Sequence, residues 1–274
     1  MFECVVNVSE GRDLAVLDAL SHASGASLRD RHADAWHHRA VFTLINDRAT
    51  LRDDARRLIR AGLGRIDLRL HHGVHPRFGA VDVVPFVALD GEDPAEACAL
   101  RDETAHWIAT ELATPVYRYG PLDGLTRSLP DARRAMRDGL GPDEGPAATP
   151  ARGAVAVGCR PILVAWNLWL RGVSLAQARA LARLVRGPAV RALAFDLGDR
   201  VQVSCNLIEP TSVGPSVVYD AVARAVAPGQ IERAELVGLI PAALLECEDP
   251  ARWRQLGIGP EVTIESRTSP VTPG

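Results

Sequence analysis

One order of hydrophobic patterns occurs twice along this chain, and it narrows the architectures open to it more than any other feature. Residues 2–8 form a Val-rich apolar run of strand length, ended by Ser9-Glu10-Gly11. Asp13 can cap a helix over residues 14–23, in which Leu14, Leu17 and Leu20 share one side. Residues 27–31 and 40–45 read as two strands separated by a polar loop that carries His32, His37, His38 and Arg39. Asp47 caps a second helix, with Leu51, Ala55, Leu58 and Ile59 at helical spacing, and residues 81–88 make a fourth strand. The order β-α-β-β-α-β is that of the split, ferredoxin-like unit.

From residue 162 the order recurs. Residues 162–170 read as a strand, and Ser174-Leu175-Ala176-Gln177 is a capping box opening a helix that turns Ala178, Leu181, Ala182 and Val185 inward. Residues 190–197 and 201–206 form a hairpin through Gly198-Asp199, followed by a helix over 215–226 and a strand over 231–237. Between the two copies, Asp93-Pro94-Ala95-Glu96 starts a helix that ends near Leu112, and residues 116–119 add a strand. Residues 121–152 then become rich in Pro, Gly, Asp and Arg, with one short polar helix expected near 131–138. A loop-rich passage of this length inside a domain is read as a ligand-covering segment. The tail after Trp253 has little pattern and is expected to cover part of the second sheet. The expected fold class is α/β (α+β), built from two ferredoxin-like βαββαβ subdomains that divide the chain into residues 1–159 and 160–274.

Composition removes several functions. The net charge of −3 supplies no basic footprint for nucleic acid or an anionic membrane surface. All 31 basic side chains are arginines, so no lysine is present to form a Schiff base. Met1-Phe2-Glu3-Cys4 leads straight into the first strand with no signal sequence, and the longest apolar stretch, residues 161–170, is too short to span a bilayer. The five cysteines are dispersed without a Cys-x-x-Cys pair, which reads as reduced, mostly buried thiols in a cytoplasmic protein.

The chemistry concentrates in residues 68–86. Six of the eight histidines lie between His32 and His75, and His71, His72 and His75 directly precede the apolar run from Val81. A histidine takes and returns a proton near neutral pH. Pro76 biases His75 towards extended backbone, in which His75 and Arg77 face the same side. A base beside a guanidinium suits a substrate carrying a carboxylate. The bland alternative, solvated loop histidines with no role, fits such crowding poorly. Zinc is the rival reading, but His71 and His72 point to opposite sides of an extended chain and no Cys or Asp-rich set accompanies them, so no metal is expected. The serine-hydrolase turn and the glycine-rich nucleotide loops are absent from the sequence.

A set of blocks in order carries a resemblance. Glu3-Cys4-Val5-Val6-Asn7-Val8-Ser9-Glu10-Gly11 opens it, and His75-Pro76-Arg77-Phe78-Gly79-Ala80-Val81-Asp82-Val83-Val84-Pro85-Phe86 is its most characteristic segment. Pro115-Val116-Tyr117-Arg118-Tyr119-Gly120, Gly158-Cys159-Arg160-Pro161, Asn167, Val201-Gln202-Val203-Ser204-Cys205-Asn206-Leu207 and Glu235-Leu236-Val237-Gly238-Leu239-Ile240-Pro241 follow. Over nearly its whole length the chain resembles the formiminotransferase (glutamate formimidoyltransferase) family, without the cyclodeaminase domain that some members carry.

The resemblance implies two subdomains with facing sheets and a ligand tunnel between them. It implies transfer of a formimino group from N-formimino-L-glutamate to tetrahydrofolate, the cosubstrate, by a cytoplasmic homodimer of histidine degradation. His75 falls on the catalytic histidine; Arg77, Arg39, His38, Asn7 and Asp82 fall on substrate-binding positions. The folate loop falls on Gly145, Pro146, Ala147, Ala148, Thr149, Pro150, Ala151, Arg152 and Gly153. The chain departs from the family pattern at His32, His38, His72, Val74 and Pro121, and its folate loop is shorter and holds no aromatic residue to stack on a pterin. These departures leave room for another one-carbon donor, or for a non-catalytic paralogue that binds folate or a small anion. The resemblance assigns no role to His71 and His72.

Overall fold

In the computed structural model, which describes residues 1–122 and 124–269, the chain divides into two units, Met1–Ile162 and Leu163–Gly274. The first unit begins with β1 (Phe2–Val8), α1 (Leu14–Ala23), β2 (Leu28–Asp34), β3 (Arg39–Asn46), α2 (Arg48–Arg65) and β4 (Val81–Ala88). These strands pair antiparallel in the order β2-β3-β1-β4, which is the ferredoxin-like order. Phe2, Cys4, Val6 and Val8 alternate along β1 onto one face, where they pack with Leu17 and Leu20 of α1 and Leu51, Ala55, Leu58 and Ile59 of α2. Asp13 and Asp47 cap these helices, each accepting from two first-turn amides.

The first sheet is larger than the ferredoxin-like unit. The chain continues through α3 (Pro94–Glu111), β5 (Val116–Leu122), β6 (Leu125–Arg127), α4 (Leu129–Arg137) and β7 (Val155–Cys159). β7 inserts in parallel between β4 and β5, giving seven strands in the order β2-β3-β1-β4-β7-β5-β6. The sequence pattern does not announce β7, because a short parallel strand buried on both faces shows no alternation. The passage 121–152 is also more ordered than its composition implies. Ser128 and Asp131 form a capping box for α4, whose Ala132 packs with Phe78, Val83, Tyr117 and Tyr119. The expected polar loop over residues 32–39 is likewise shorter, since β2 runs on to Asp34 and Arg39 already belongs to β3.

The expectation of five reduced thiols is corrected. Cys98 on α3 and Cys159 at the end of β7 form a disulfide with Cα atoms 5.1 Å apart, closing a separation of 61 residues. Only the packing of α3 over β7 brings them together, so spacing gave no sign of the pair. Cys4 and Cys205 are buried free thiols and Cys247 is exposed. Thiol titration of the denatured chain is therefore expected to count three groups without reductant and five with it. Five groups without reductant would remove the bridge.

The second unit repeats the first topology with β8 (Val164–Leu170), α5 (Leu175–Val185), β9 (Val190–Asp196), β10 (Val201–Leu207), α6 (Pro215–Ala223) and β11 (Ile231–Val237). Its sheet order, β11-β8-β10-β9, is again ferredoxin-like. The tail adds α7 (Ala242–Glu246), α8 (Trp253–Leu256) and α9 (Ile264–Thr268). The Trp166 indole, on β8, donates to Leu256 O at 2.7 Å and ties this tail to the second sheet. The end of the tail, residues 270–274, lies outside the described residues. Among the described residues, no helix is long and apolar enough to cross a membrane.

Candidate active site

Asn7, Arg39 and Asp82 meet where β1 ends and β3 and β4 begin. Asn7 opposes Val41 across the β1–β3 ladder, and Arg39, two residues earlier, leaves the same face. Asn7 Oδ1 accepts from Arg39 Nη2 at 2.8 Å and from Nε at 3.2 Å, while Asn7 Nδ2 donates to Val5 O. The β1–β4 ladder slips here: Asn7 opposes Val83 and Val8 opposes Val81, leaving Asp82 as the extra residue of a bulge. A bulge re-aims a side chain. The fully buried Asp82 carboxylate accepts from Arg39 Nη1, from the Phe78 amide, and from Arg133 Nη2 at 3.0 Å. Burial acts to raise the Asp82 pKa, but Arg39, Arg133, the Phe78 amide and His75 outweigh it and hold the group at about 2.

His75 stands beside this ion-pair network. Its Nδ1 lies 2.6 Å from Pro76 O and 3.3 Å from Arg39 Nη1. A carbonyl only accepts and a guanidinium only donates, so one nitrogen cannot satisfy both at once. The shorter contact selects the tautomer with hydrogen on Nδ1, which makes Nε2 the proton-accepting atom. Burial, then the charge of Arg39, push His75 well below the usual histidine range; Asp82 opposes this, and Arg133 and His37 add to it. The ring is thus neutral at physiological pH, and the His37 ring meets it edge-on at 5.7 Å.

Arg77 donates through Nη2 to His37 O at 3.4 Å, whereas its buried Nη1 has no protein partner. Gly73 lets this segment lie against the β2–β3 turn, since a Cβ there would collide with His37 O and the Arg77 guanidinium. His38 occupies that turn with φ +49, a left-handed conformation uncommon for a non-glycine residue. Its ring stacks on His71 at 4.0 Å and both rings approach Glu10, away from His75. His71 and His75 therefore do not converge, while His72 is exposed and contributes its carbonyl to His38 Nδ1.

The residues Gly145 to Gly153 run beside the same segment. Ala80 N donates to Arg152 O, Ala154 N to Phe78 O and Leu68 N to Ala151 O, and Gly153 bridges Gly79. Residues 145–150 are exposed, and the Arg152 guanidinium turns to Leu112 O at 3.3 Å rather than towards His75. Two residues of the site escaped sequence reasoning. Arg133 sits one turn after Leu129 and beside Ala132, so the apolar stripe of α4 could have placed it on the inward edge. Glu10 looks like an ordinary turn residue, and nothing local marks its contacts with rings 28 and 61 residues away.

Residues 1–160 match the family model described as the formiminotransferase domain, N-terminal subdomain. A glutamate formimidoyltransferase of Streptococcus pyogenes serotype M1 is 32% identical over 271 residues, spanning 89% of this chain and 90% of that protein. The glutamate formimidoyltransferase of Thermoplasma acidophilum is 30% identical over 271 residues, with 89% of each chain covered. The formimidoyltransferase-cyclodeaminase of Sus scrofa is 31% identical over 285 residues, which span 90% of this chain and 52% of that longer protein. With the family model covering more than half of its length, this chain belongs to the formiminotransferase family of one-carbon-group transferases.

Proposed function

We propose that the chain transfers a formimino group from N-formimino-L-glutamate, or a closely related amidine donor, to N5 of tetrahydrofolate, with His75 as general acid and base. The observation that carries this reading is a neutral, partly buried His75 held beside two arginines and one buried carboxylate. The folate N5 lone pair attacks the amidine carbon and forms the new N–C bond. His75 Nε2 takes the N5 proton and returns it to the glutamate nitrogen as the old C–N bond breaks, so protons balance and glutamate leaves as the amine. Holding both reactants in one site removes much of the entropic barrier.

Arg77 is assigned to a donor carboxylate, since a buried N–H without a partner is costly until an anion accepts from it. Arg39, held by Asn7 and Asp82, keeps its positive charge beside the His75 ring and so favours the neutral base, and the loop from Gly145 to Gly153 is assigned to folate. A homodimeric, cytoplasmic enzyme of histidine degradation goes with this reading.

Incubation with tetrahydrofolate and N-formimino-glutamate tests it: turnover is expected, and tight folate binding without turnover would favour a binding protein. The pH profile has a definite sign. The unprotonated base is the active form and His75 titrates below its usual value of about 6.5. The acid limb of kcat/KM is therefore expected below pH 6.5, with activity falling as pH drops through that lowered value. An acid limb at or above 6.5 would contradict a neutral, desolvated His75 as the base.

A further inference from the structure

The transfer just described assigns no step to the Glu10–His38–His71 cluster. Each side chain is less than a tenth exposed, at 7%, 8% and 8%. His38 Nδ1 lies 3.2 Å from His72 O, and His71 Nδ1 lies 3.0 Å from Asp67 O. Because carbonyls only accept, each Nδ1 carries the ring's hydrogen, and each Nε2 presents its lone pair. Those lone pairs face the Glu10 carboxylate, with His38 Nε2 3.1 Å from Oε1 and His71 Nε2 3.2 Å from Oε2. With both rings neutral, the two Nε2 lone pairs run side by side from the stack onto the Glu10 carboxylate, three electron-pair donors with no hydrogen between them. A dication placed between the rings and the carboxylate would satisfy all three donors at once.

We propose that Glu10, His38 and His71 form a binding site for a divalent transition-metal ion of the zinc type. All three ligand atoms lie within 4.8 Å of one another. The separations of 3.1 and 3.2 Å run to different oxygens of Glu10, so an ion with tetrahedral ligands at about 2.1 Å takes one of those oxygens together with both nitrogens after a small shift of the side chains. Binding tilts the stacked rings into a wedge so that both lone pairs meet the ion. The carbonyls of His72 and Asp67 supply the outer hydrogen bonds that fix the tautomer and orient each ring. Glu10 is anchored independently, because Oε1 also accepts from the amides of Gly11, Arg12 and Asp13. His38 presents its ring there from a left-handed backbone, a conformation uncommon for a non-glycine residue. An ion there would cross-link the end of β1, the β2–β3 turn and the segment after α2. Three protein ligands leave a fourth position for water or another small ligand.

Zinc titration of the tag-free, chelator-treated chain by calorimetry tests the site, with cobalt(II) absorption as the spectroscopic readout. One equivalent per chain is expected, with a rise in Tm on binding. His71→Ala and His38→Asn are each expected to weaken zinc binding by at least about tenfold, the minimum loss for disturbing a metal site. Asn accepts the left-handed backbone, so His38→Asn should keep the metal-free Tm and separate lost ligation from lost folding. Absence of stoichiometric zinc uptake by the unaltered chain, or uptake undiminished in folded His38→Asn, would overturn the proposal.

Discussion

His75→Ala is expected to lower kcat for formimino transfer by about 10²–10⁴-fold, the usual contribution of a positioned acid–base group. That corresponds to about 3–5 kcal/mol of transition-state stabilisation. The loss should fall on kcat more than on KM, because the ring handles a proton in the reaction and does not grip the donor. The fold should survive. Arg39 loses only its 3.3 Å contact with the ring and stays held by Asn7 and Asp82, so Tm should move by no more than a few degrees. Added imidazole should restore part of the activity, since truncation opens space where the ring stood. Steady-state kinetics with saturating tetrahydrofolate measure this, and turnover equal to that of the unaltered chain would remove His75 from the chemistry.

Legibility in the sequence followed the range of the interactions. Strands β1, β3 and β4 and helices α1 and α2 announce themselves because apolar runs of strand length, helical spacing and an Asp cap are local properties. β7 does not, being five residues long and buried throughout. The same division holds in the site. His75-Pro76-Arg77 is a contiguous motif and can be read directly, but the bulge that re-aims Asp82 exists only in the pairing of β4 with β1. Arg133 reaches Asp82 from 51 residues away through a helix whose surroundings look like loop. The metal-type cluster combines a histidine that broke the family pattern, one that had no role, and a glutamate that read as turn chemistry. Cys98 and Cys159 likewise needed α3 laid over β7 before their pairing could be seen.

Asp82→Asn is expected to be the most destabilising single change in the site. Asp82 is fully buried and balances Arg39 and Arg133, whose side chains are only 14% and 25% exposed. Removing one member of such a set leaves the others uncompensated, which costs about 3–5 kcal/mol. Asn also replaces one acceptor oxygen with an amide that faces donors, so the Phe78 amide or an arginine loses its partner. Acid should reproduce part of the effect in the unaltered chain. The Asp82 carboxyl sits at about 2, below its usual 3.8, so the unfolded chain binds the proton first as pH falls. Its contribution is complete above about pH 4 and is lost on the way down to about 2, amounting to about 2 kcal/mol at 1.36 kcal/mol per unit. Urea unfolding at pH 7 and at pH 3 measures both quantities. The gap between the unaltered chain and Asp82→Asn should narrow at pH 3, because the unfolded form of the unaltered chain then gains a proton at Asp82 that the folded form largely lacks. An equal gap at the two pH values would mean that shape, and not the charge of Asp82, holds the two arginines in place.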